Sequence, residues 1–170
     1  MANLNKENIK HNIFKLLHFS GLTDLNFADL LDISPRQLKY IKNGNAEFSI
    51  DSINKACDFF KRSLLAINSN DIELDITFRS KLINIHKNNP EYFKFLSETP
   101  SITYAINFEL LYNEEFIKDG LEIKDIRRIF KAKGWDFTSS YTSLGINRNQ
   151  DKILIKAHPA KLRTNIYKKR

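Results

Sequence analysis

The chain of 170 residues has little of three residue types on which many catalytic sites depend: one cysteine, five glycines and four histidines. A single cysteine excludes an intrachain disulfide, and with scattered histidines it gives no zinc-binding pattern. Few glycines argue against phosphate-cradling loops, and no nucleotide-binding, nucleophile-elbow or zinc-protease motif occurs. We therefore expect no enzymatic activity, no cofactor and no metal ion.

Long apolar runs are also missing. No 18 consecutive apolar residues occur, so we expect no membrane-spanning helix, and the first ten residues lack the apolar segment of a signal peptide. These absences favour a cytoplasmic protein that does not bind a membrane. The chain is nevertheless 42% apolar, with thirteen phenylalanines, which indicates a folded protein of one or two small domains.

The most informative segment, residues 21–44, has the pattern of two short helices joined by a tight turn. Apolar residues at three- and four-residue spacing predict a buried face on both helices. They are Leu25, Ala28, Leu31, Leu38 and Ile41. Ser34 suits the N-cap of the second helix, Pro35 suits its first position, and Gln37 completes a capping box. Asn43-Gly44 ends that helix.

The flanking segments predict three more helices packed around this pair. Residues 7–20 place apolar side chains on one face of a first helix. Ser49 is placed to cap a fourth helix that continues to Phe60, and a fifth segment begins at Leu64. The inward positions of the first and fourth helices are Ile9, Ile13, Leu16, Leu17, Ile50, Ile53, Cys57 and Phe60.

The five-helix order and the strings GLT, FADLLDIS, LKYIKNG and SIDSINKACDFF resemble the lambda-repressor/Cro-like (XRE-family) DNA-binding domain over residues 8–67. The resemblance implies that helix 35–43 enters the major groove of double-stranded DNA. The positions it assigns to DNA contact are Ser34, Pro35, Arg36, Gln37, Lys39, Tyr40, Lys42 and Asn43.

Three positions depart from the pattern of that family. Asp32 stands where Gly is frequent, and Asp tolerates a left-handed turn. Asp24 stands where Gln often touches a phosphate, and a carboxylate there would be repelled. Lys42 stands where Glu is common, which adds a cation that partly offsets Asp24.

The residue type indicates DNA contact more strongly at Arg36 than at Gln37 or Tyr40. Arg36 suits bidentate contact with guanine, which favours a functional role. Gln37 either reads a base or only closes the capping box. Tyr40 either reaches a thymine methyl group or packs over the neighbouring loop.

Positive charge is concentrated at the C-terminal end. Residues 1–76 carry nine basic and ten acidic side chains, and residues 77–123 carry five and seven. Residues 124–170 carry thirteen basic and three acidic side chains. Because phosphate neutralisation supplies most non-specific affinity for nucleic acid, the last third is better equipped for it than the helix-turn-helix.

The middle of the chain predicts a linker followed by helices. Residues 68–76 suit a boundary loop, in which 72–76 form either a short strand or an extended linker. Helices are expected over 78–88, over 91–96 and from Pro100 to Tyr112. The last of these is apolar around much of its circumference, so we expect a homodimer that associates through residues 77–117.

The last 50 residues predict a helix over 122–133, a short helix from Thr138 or Ser139 to Leu144, and strands over 152–157 and 162–167. The first of these helices carries Lys124, Arg127, Arg128 and Lys131 on its outer face. This order resembles a winged-helix domain over residues 100–170. The resemblance assigns nucleic-acid contact to Tyr141, Thr142, Asn147, Arg148, Lys161 and Arg163. A solvated basic face on a small α+β domain is the equal alternative.

We therefore expect a mainly α protein with a helix-turn-helix domain over residues 1–67, a linker over 68–76 and a basic, partly α+β domain over 77–170. The favoured function is a sequence-specific transcriptional regulator that binds double-stranded DNA as a dimer. The alternative is a non-enzymatic adaptor whose basic C-terminal domain binds nucleic acid or an acidic partner.

Overall fold

The computed structural model describes residues 4–170 and divides into two compact units, one ending at Glu98 and the other spanning Thr99–Arg170. The described part of unit 1 consists of seven helices. They are α1 (Lys6–Ser20), α2 (Asp24–Leu30), α3 (Pro35–Lys42), α4 (Ile50–Phe60), α5 (Leu64–Ile67), α6 (Phe78–His86) and α7 (Pro90–Ser97).

Unit 2 combines short helices with one hairpin. Its elements are α8 (Ile102–Phe108), a 3-10 turn (Leu110–Tyr112), α9 (Glu114–Lys118), α10 (Ile123–Ala132), α11 (Ser139–Asn147), β1 (Ile153–Ala157) and β2 (Asn165–Lys169). The strands pair antiparallel with Ile155 opposite Tyr167. The expectation of a mainly helical protein with a small sheet is confirmed.

The turn between α2 and α3 forms where the sequence predicts it. Asp32 adopts a φ of 53°, the left-handed conformation that Asp tolerates. The Ser34 hydroxyl then accepts a hydrogen bond from the Gln37 backbone N–H at 3.0 Å, and Pro35 occupies the first turn of α3. These local contacts set the start of α3 and confirm the predicted helix pair.

The core of unit 1 is built around phenylalanine rings. Phe27, Phe59 and Phe60 are fully buried, with ring centroids 5.8 Å apart for Phe27–Phe60 and 5.1 Å for Phe59–Phe60. The placement of Leu25 in this core is wrong, because Leu25 is 65% exposed while Phe27 and Ala28 form the inner face of α2. Ile50, the first residue of α4, is likewise exposed, and Cys57 is half-buried.

The segment after α5 belongs to unit 1 instead of linking two domains. The buried side chain of Asn12 donates to the carbonyl oxygens of Ile67 and Ser69, each at 2.8 Å, and accepts from the Ile72 N–H at 3.1 Å. Ile72 is buried against the core, and residues 72–76 form neither helix nor strand. A polar side chain thus fixes an irregular backbone segment by satisfying its hydrogen bonds.

A buried arginine, Arg79, links α6 and α7 to the rest of unit 1. The Arg79 guanidinium donates to the carbonyl oxygens of Ser20 at 2.6 Å, Leu96 at 2.9 Å and Glu98 at 3.1 Å. His86, which is also buried, contacts the Phe59 carbonyl oxygen at 2.7 Å through Nε2. The division of the chain therefore falls after Glu98, and the boundary expected at residues 68–76 is corrected.

Two elements of unit 2 differ from expectation. The helix expected from Pro100 to Tyr112 ends at Phe108, because Glu109 leaves helical geometry with φ −125° and ψ −59°. The second strand begins at Asn165 instead of Leu162, since residues 158–164 form a longer loop in which Arg163 has a φ of 57°. Leu121 extends the hairpin through reciprocal backbone hydrogen bonds with Tyr167 at 2.8 and 2.9 Å.

Gly145 allows α11 to pack closely on α8. A β-carbon at this position would lie 2.6 Å from Cγ1 of Ile102 and 3.0 Å from Cδ1 of Ile106. Glycine costs about 1 kcal/mol relative to alanine inside a helix. This close approach explains why a glycine is present there despite that cost.

We expect Gly145→Ala to destabilise the protein by about 1–2 kcal/mol, because the strain of overpacking two branched side chains exceeds the gain in helix propensity. Chemical denaturation monitored by circular dichroism measures this change. Ser140→Ala on the exposed side of the same helix is the control and should change stability little. A stabilised Gly145→Ala variant would contradict the packing described.

Candidate nucleic-acid interface

Two buried side chains attach α3 to unit 1, and the remaining residues of the helix are exposed. Leu38 and Ile41, each 1% exposed, point into unit 1, so the opposite face of the helix lies in solvent. All eight positions assigned to DNA contact are exposed on or beside this helix. They are Ser34, Pro35, Arg36, Gln37, Lys39, Tyr40, Lys42 and Asn43. We call this set the α3 face.

Arg36 and Tyr40 interact along the α3 face. The Arg36 Nε donates a hydrogen bond to the Tyr40 hydroxyl at 2.7 Å, and the guanidinium carbon lies 5.3 Å from the ring centroid. This contact uses one of the five N–H donors of arginine. The terminal nitrogens, which make bidentate contacts, take no part in that bond. Tyr40 therefore orients Arg36, a role that neither sequence reading of Tyr40 included.

Gln37 keeps its side-chain amide available. Its backbone N–H donates to Ser34, but within residues 4–170 its side chain makes no hydrogen bond, so the second half of the capping box is not formed. The amide can therefore donate and accept elsewhere. The reading in which the Gln37 side chain only closes the capping box is therefore wrong.

Asp24 and Lys42 form an ion pair at the edge of the α3 face. The Lys42 Nζ lies 2.5 and 2.6 Å from the two carboxylate oxygens of Asp24. The sequence predicts that Lys42 partly offsets the negative charge of Asp24, and in the structure the two side chains are in direct contact. Across the described residues, Arg36 and Lys39 are the basic side chains of α3 that have no acidic partner.

Asp32, in the turn before α3, is also paired. Its carboxylate accepts a hydrogen bond from Lys55 on α4 at 2.7 Å, and Lys55 also lies 2.8 Å from Asp51. The hydrogen bond from Lys55 lowers the pKa of Asp32 below its ordinary value. Both acidic side chains near α3 are therefore neutralised by a neighbouring lysine.

In unit 2, α11 exposes part of the predicted contact set. Tyr141 is 41% exposed, and Asn147 and Arg148 are exposed at the end of the helix. The assignment of Thr142 to the groove is wrong, because this residue is fully buried and its hydroxyl donates to the Thr138 carbonyl oxygen at 2.9 Å. Thr142 precedes Gly145 by three residues and therefore shares the face that packs inward.

The hairpin loop of residues 158–164 is anchored by Glu122. The carboxylate accepts a short hydrogen bond from Lys161, and His158 Nε2 lies 3.5 Å from the same oxygen. This contact lowers the pKa of Glu122 and raises that of Lys161. Lys161 is thus engaged within the protein, whereas Arg163 is exposed beside Leu162, which is 96% exposed. Glu122 was not identified from the sequence, where its only distinguishing feature is that it directly precedes a basic helix.

The basic face of α10 is largely engaged in internal contacts. Arg127 donates to the Phe137 carbonyl oxygen at 2.6 Å and to the Ser139 hydroxyl at 3.1 Å, which fixes the start of α11. Arg128 pairs with Glu115 at 3.4 Å. Within the described residues, the basic side chains of unit 2 between 124 and 163 that lack an acidic, amide or carbonyl partner are Lys131, Arg148, Lys156 and Arg163.

The described residues contain neither a metal-binding cluster nor a membrane-spanning helix. In the described chain, no three His, Cys, Asp or Glu side chains are grouped so as to hold a metal ion. Glu114 and Glu115 lie 3.6 Å from Lys118 and 3.4 Å from Arg128, respectively. No helix between residues 4 and 170 is both long enough and apolar enough to span a membrane.

Comparison with protein-family models, curated proteins and solved structures gives no match for this chain. We therefore infer function from the geometry of the α3 face and of unit 2.

Acidification is expected to release the loop 158–164 from Glu122. Because Lys161 lowers the pKa of Glu122, the pair stabilises the loop above the ordinary pKa of 4.5, and this contribution is lost as pH falls through the lowered value. Backbone amide NMR signals of residues 158–164, followed from about pH 6 to about pH 3, measure the change.

Glu122→Gln should show the released loop already at neutral pH. Glu114→Gln, at an exposed position in α9, is the matched control and should behave like the parent protein. If loop signals in Glu122→Gln match the parent at neutral pH, the anchoring role of Glu122 is wrong.

Proposed function

We propose that the protein is a sequence-specific transcriptional regulator that binds double-stranded DNA through the α3 face. One observation carries this proposal: an exposed helix presents Arg36 in a position set by Tyr40, while Leu38 and Ile41 anchor its other side. The order of α1 to α5 supports the resemblance of the sequence to the lambda-repressor-like domain. In that arrangement the second helix of the pair enters the major groove.

The polar residues of the α3 face match the chemistry of base edges. The terminal nitrogens of Arg36 suit the O6 and N7 acceptors of guanine, and the free amide of Gln37 suits adenine. Lys39 and Asn43 lie on later turns of the helix and are assigned to phosphates. Phosphate contacts set the register of the helix, and base contacts supply the sequence preference.

Unit 1 alone has almost no net positive charge with which to bind DNA. Residues 1–98 carry thirteen basic and twelve acidic side chains, whereas residues 99–170 carry fourteen and eight. Because non-specific affinity rises with the number of phosphates neutralised, a regulator of this charge needs additional contacts. We include two in the proposal: a second copy of the chain in a homodimer, and unit 2.

In unit 2, the order α10, α11, β1, β2, with Leu121 bridged to Tyr167, supports the winged-helix resemblance. On that reading Tyr141, Asn147 and Arg148 meet one groove, and Arg163 meets phosphate from the hairpin loop. Thr142 is excluded by its burial. Lys161 is paired with Glu122 within the protein, so it contacts DNA only when this ion pair opens.

The second candidate function is a non-enzymatic adaptor, in which unit 2 binds nucleic acid or an acidic partner and unit 1 is a docking scaffold. The neutral Asp24–Lys42 pair at the edge of α3 favours this alternative, because it removes a cation from the expected phosphate path. We also propose a cytoplasmic location, because the regulator, which is the favoured candidate, acts on cellular DNA.

Selection of bound sequences from a random DNA pool, with the full chain at two salt concentrations, tests the regulator directly. We expect Arg36→Ala to lose about 1–3 kcal/mol of discrimination at one guanine while the fold is retained. A homodimer predicts a palindromic motif with half-sites about one helical turn apart.

Two matched variants separate the candidates. Lys87→Ala, at an exposed position outside the α3 face, should leave the selected motif unchanged. Arg148→Ala with Arg163→Ala tests unit 2. Salt-sensitive binding without a motif, abolished by the unit 2 changes and indifferent to Arg36→Ala, would contradict the regulator and support the adaptor.

Asp24→Asn tests whether the edge of α3 meets phosphate. The substitution frees Lys42 and removes a negative charge, so we expect tighter DNA binding and a salt dependence steeper by about one phosphate contact. Fluorescence anisotropy with a fixed duplex over a salt series measures both quantities. Asp75→Asn, at an exposed position before α6, is the control. An unchanged affinity and slope for Asp24→Asn would place DNA elsewhere.

A further inference from the structure

A cavity of about 260 Å³ lies in unit 1 between the first turns of α1 and the segment that connects α3 to α4. Its wall is mainly apolar. The side chains that form this wall include Ile9, Ile41, Ala46, Phe48 and Ile53. Small-molecule sites are typically concave and apolar, with a few polar groups that fix the orientation of the ligand. We call this space the α1–α3 cavity.

The charged groups at the rim differ in how they are engaged. Lys6 and Glu47 form an ion pair at 2.7 Å across one edge. Lys10 is half-buried, and its Nζ would lie 3.7 Å from a β-carbon built on Gly44, just beyond the end of α3. Lys10 has no acidic partner within the described residues. Glu7, the remaining charged group, is exposed to solvent.

We propose that the α1–α3 cavity binds a small amphipathic carboxylate, with the carboxylate on Lys10 and the apolar chain on the inner wall. Lys10 is half-buried and has no acidic partner in the described residues, so a carboxylate beside it supplies a charge-assisted hydrogen bond. Binding is also favoured when a hydrocarbon chain covers the apolar wall and removes it from water. One ligand with both parts satisfies the two needs together.

The charge of the ligand follows from which charged residue at the rim is both unpaired and half-buried. A cationic head group would have to use Glu7, which water already solvates, because Glu47 is held by Lys6. A neutral alcohol would leave Lys10 without a counter-ion. The half-buried Lys10 therefore selects an anion, and the dimensions of the cavity select a short chain.

This site is independent of the proposed function. Its occupancy can be measured without nucleic acid, and none of the groups that carry the proposal is assigned to DNA contact. Ile41 and Gly44 nevertheless connect the cavity to α3 and its C-terminal end, so a bound ligand would contact the helix from its inner side.

Calorimetric titration of the full chain with hexanoate, octanoate and decanoate, below their micelle concentrations, tests the proposal. Each buried methylene should tighten binding about fourfold until the cavity is filled. Octanol and octylamine of the same chain length are the comparison ligands, and both should bind more weakly than octanoate. Amide NMR signals of Ile41, Gly44 and Phe48 should shift with octanoate.

Lys10→Met keeps the apolar stem and the helix propensity but removes the charge, so octanoate should bind it no better than octanol does. Lys87→Met, at an exposed position away from the cavity, is the matched control and should bind octanoate like the parent protein. Circular dichroism of both variants verifies that they fold.

Three calorimetric results would overturn the proposal. They are octanol or octylamine binding as tightly as octanoate, octanoate binding that Lys10→Met leaves unchanged, and no binding of any chain at millimolar concentration. Octanoate-induced shifts confined to residues outside the cavity would overturn it equally.

Discussion

The buried guanidinium of Arg79 is the interaction on which the organisation of unit 1 depends. It joins the end of α1, at the Ser20 carbonyl oxygen, to the end of α7, at Leu96 and Glu98. A buried charge is tolerated only when hydrogen bonds satisfy it, so these backbone segments are held in one arrangement. Helices α6 and α7 consequently support the segment that leads into α2 and α3, and the scaffold behind the α3 face is larger than five helices.

The α3 face itself follows from simpler rules. A cap at Ser34, a left-handed residue at Asp32 and two inward side chains suffice to place eight polar or small residues in solvent. The chemistry of that face then depends on pairwise contacts, with Tyr40 holding Arg36 and Lys42 held by Asp24. Helix geometry determines which residues are exposed, and side-chain pairing determines which charges remain available.

Local signals made much of the helical architecture predictable, because caps and three-to-four residue spacing act within one turn. The α2–α3 pair, the cap at Ser49 and the two C-terminal helices follow from such signals. Leu25 and Thr142 were misplaced because burial depends on which neighbour a helix packs against. The boundary at Glu98 could not be foreseen, since it rests on Asn12 and Arg79 binding backbone carbonyls that are distant along the chain.

The candidate site was predictable to the same extent as the helical architecture. The identity of the exposed residues follows from the period of α3, but the Glu122–Lys161 contact joins residues 39 positions apart. Sequence spacing carries no information about such a pair. Charge counts alone therefore overestimate the positive surface of unit 2, where Arg127, Arg128 and Lys161 are already engaged.

The contact between Arg36 and Tyr40 has an entropic consequence. A long side chain that is immobilised on binding loses rotamer freedom, at a cost of about 0.5–1.5 kcal/mol in an interface. Arg36 has given up part of that freedom in the free protein, because its Nε is already held by the hydroxyl of Tyr40 one turn along the helix. Whatever planar acceptor it meets, the conformational entropy of association is less unfavourable than for an arginine that moves freely.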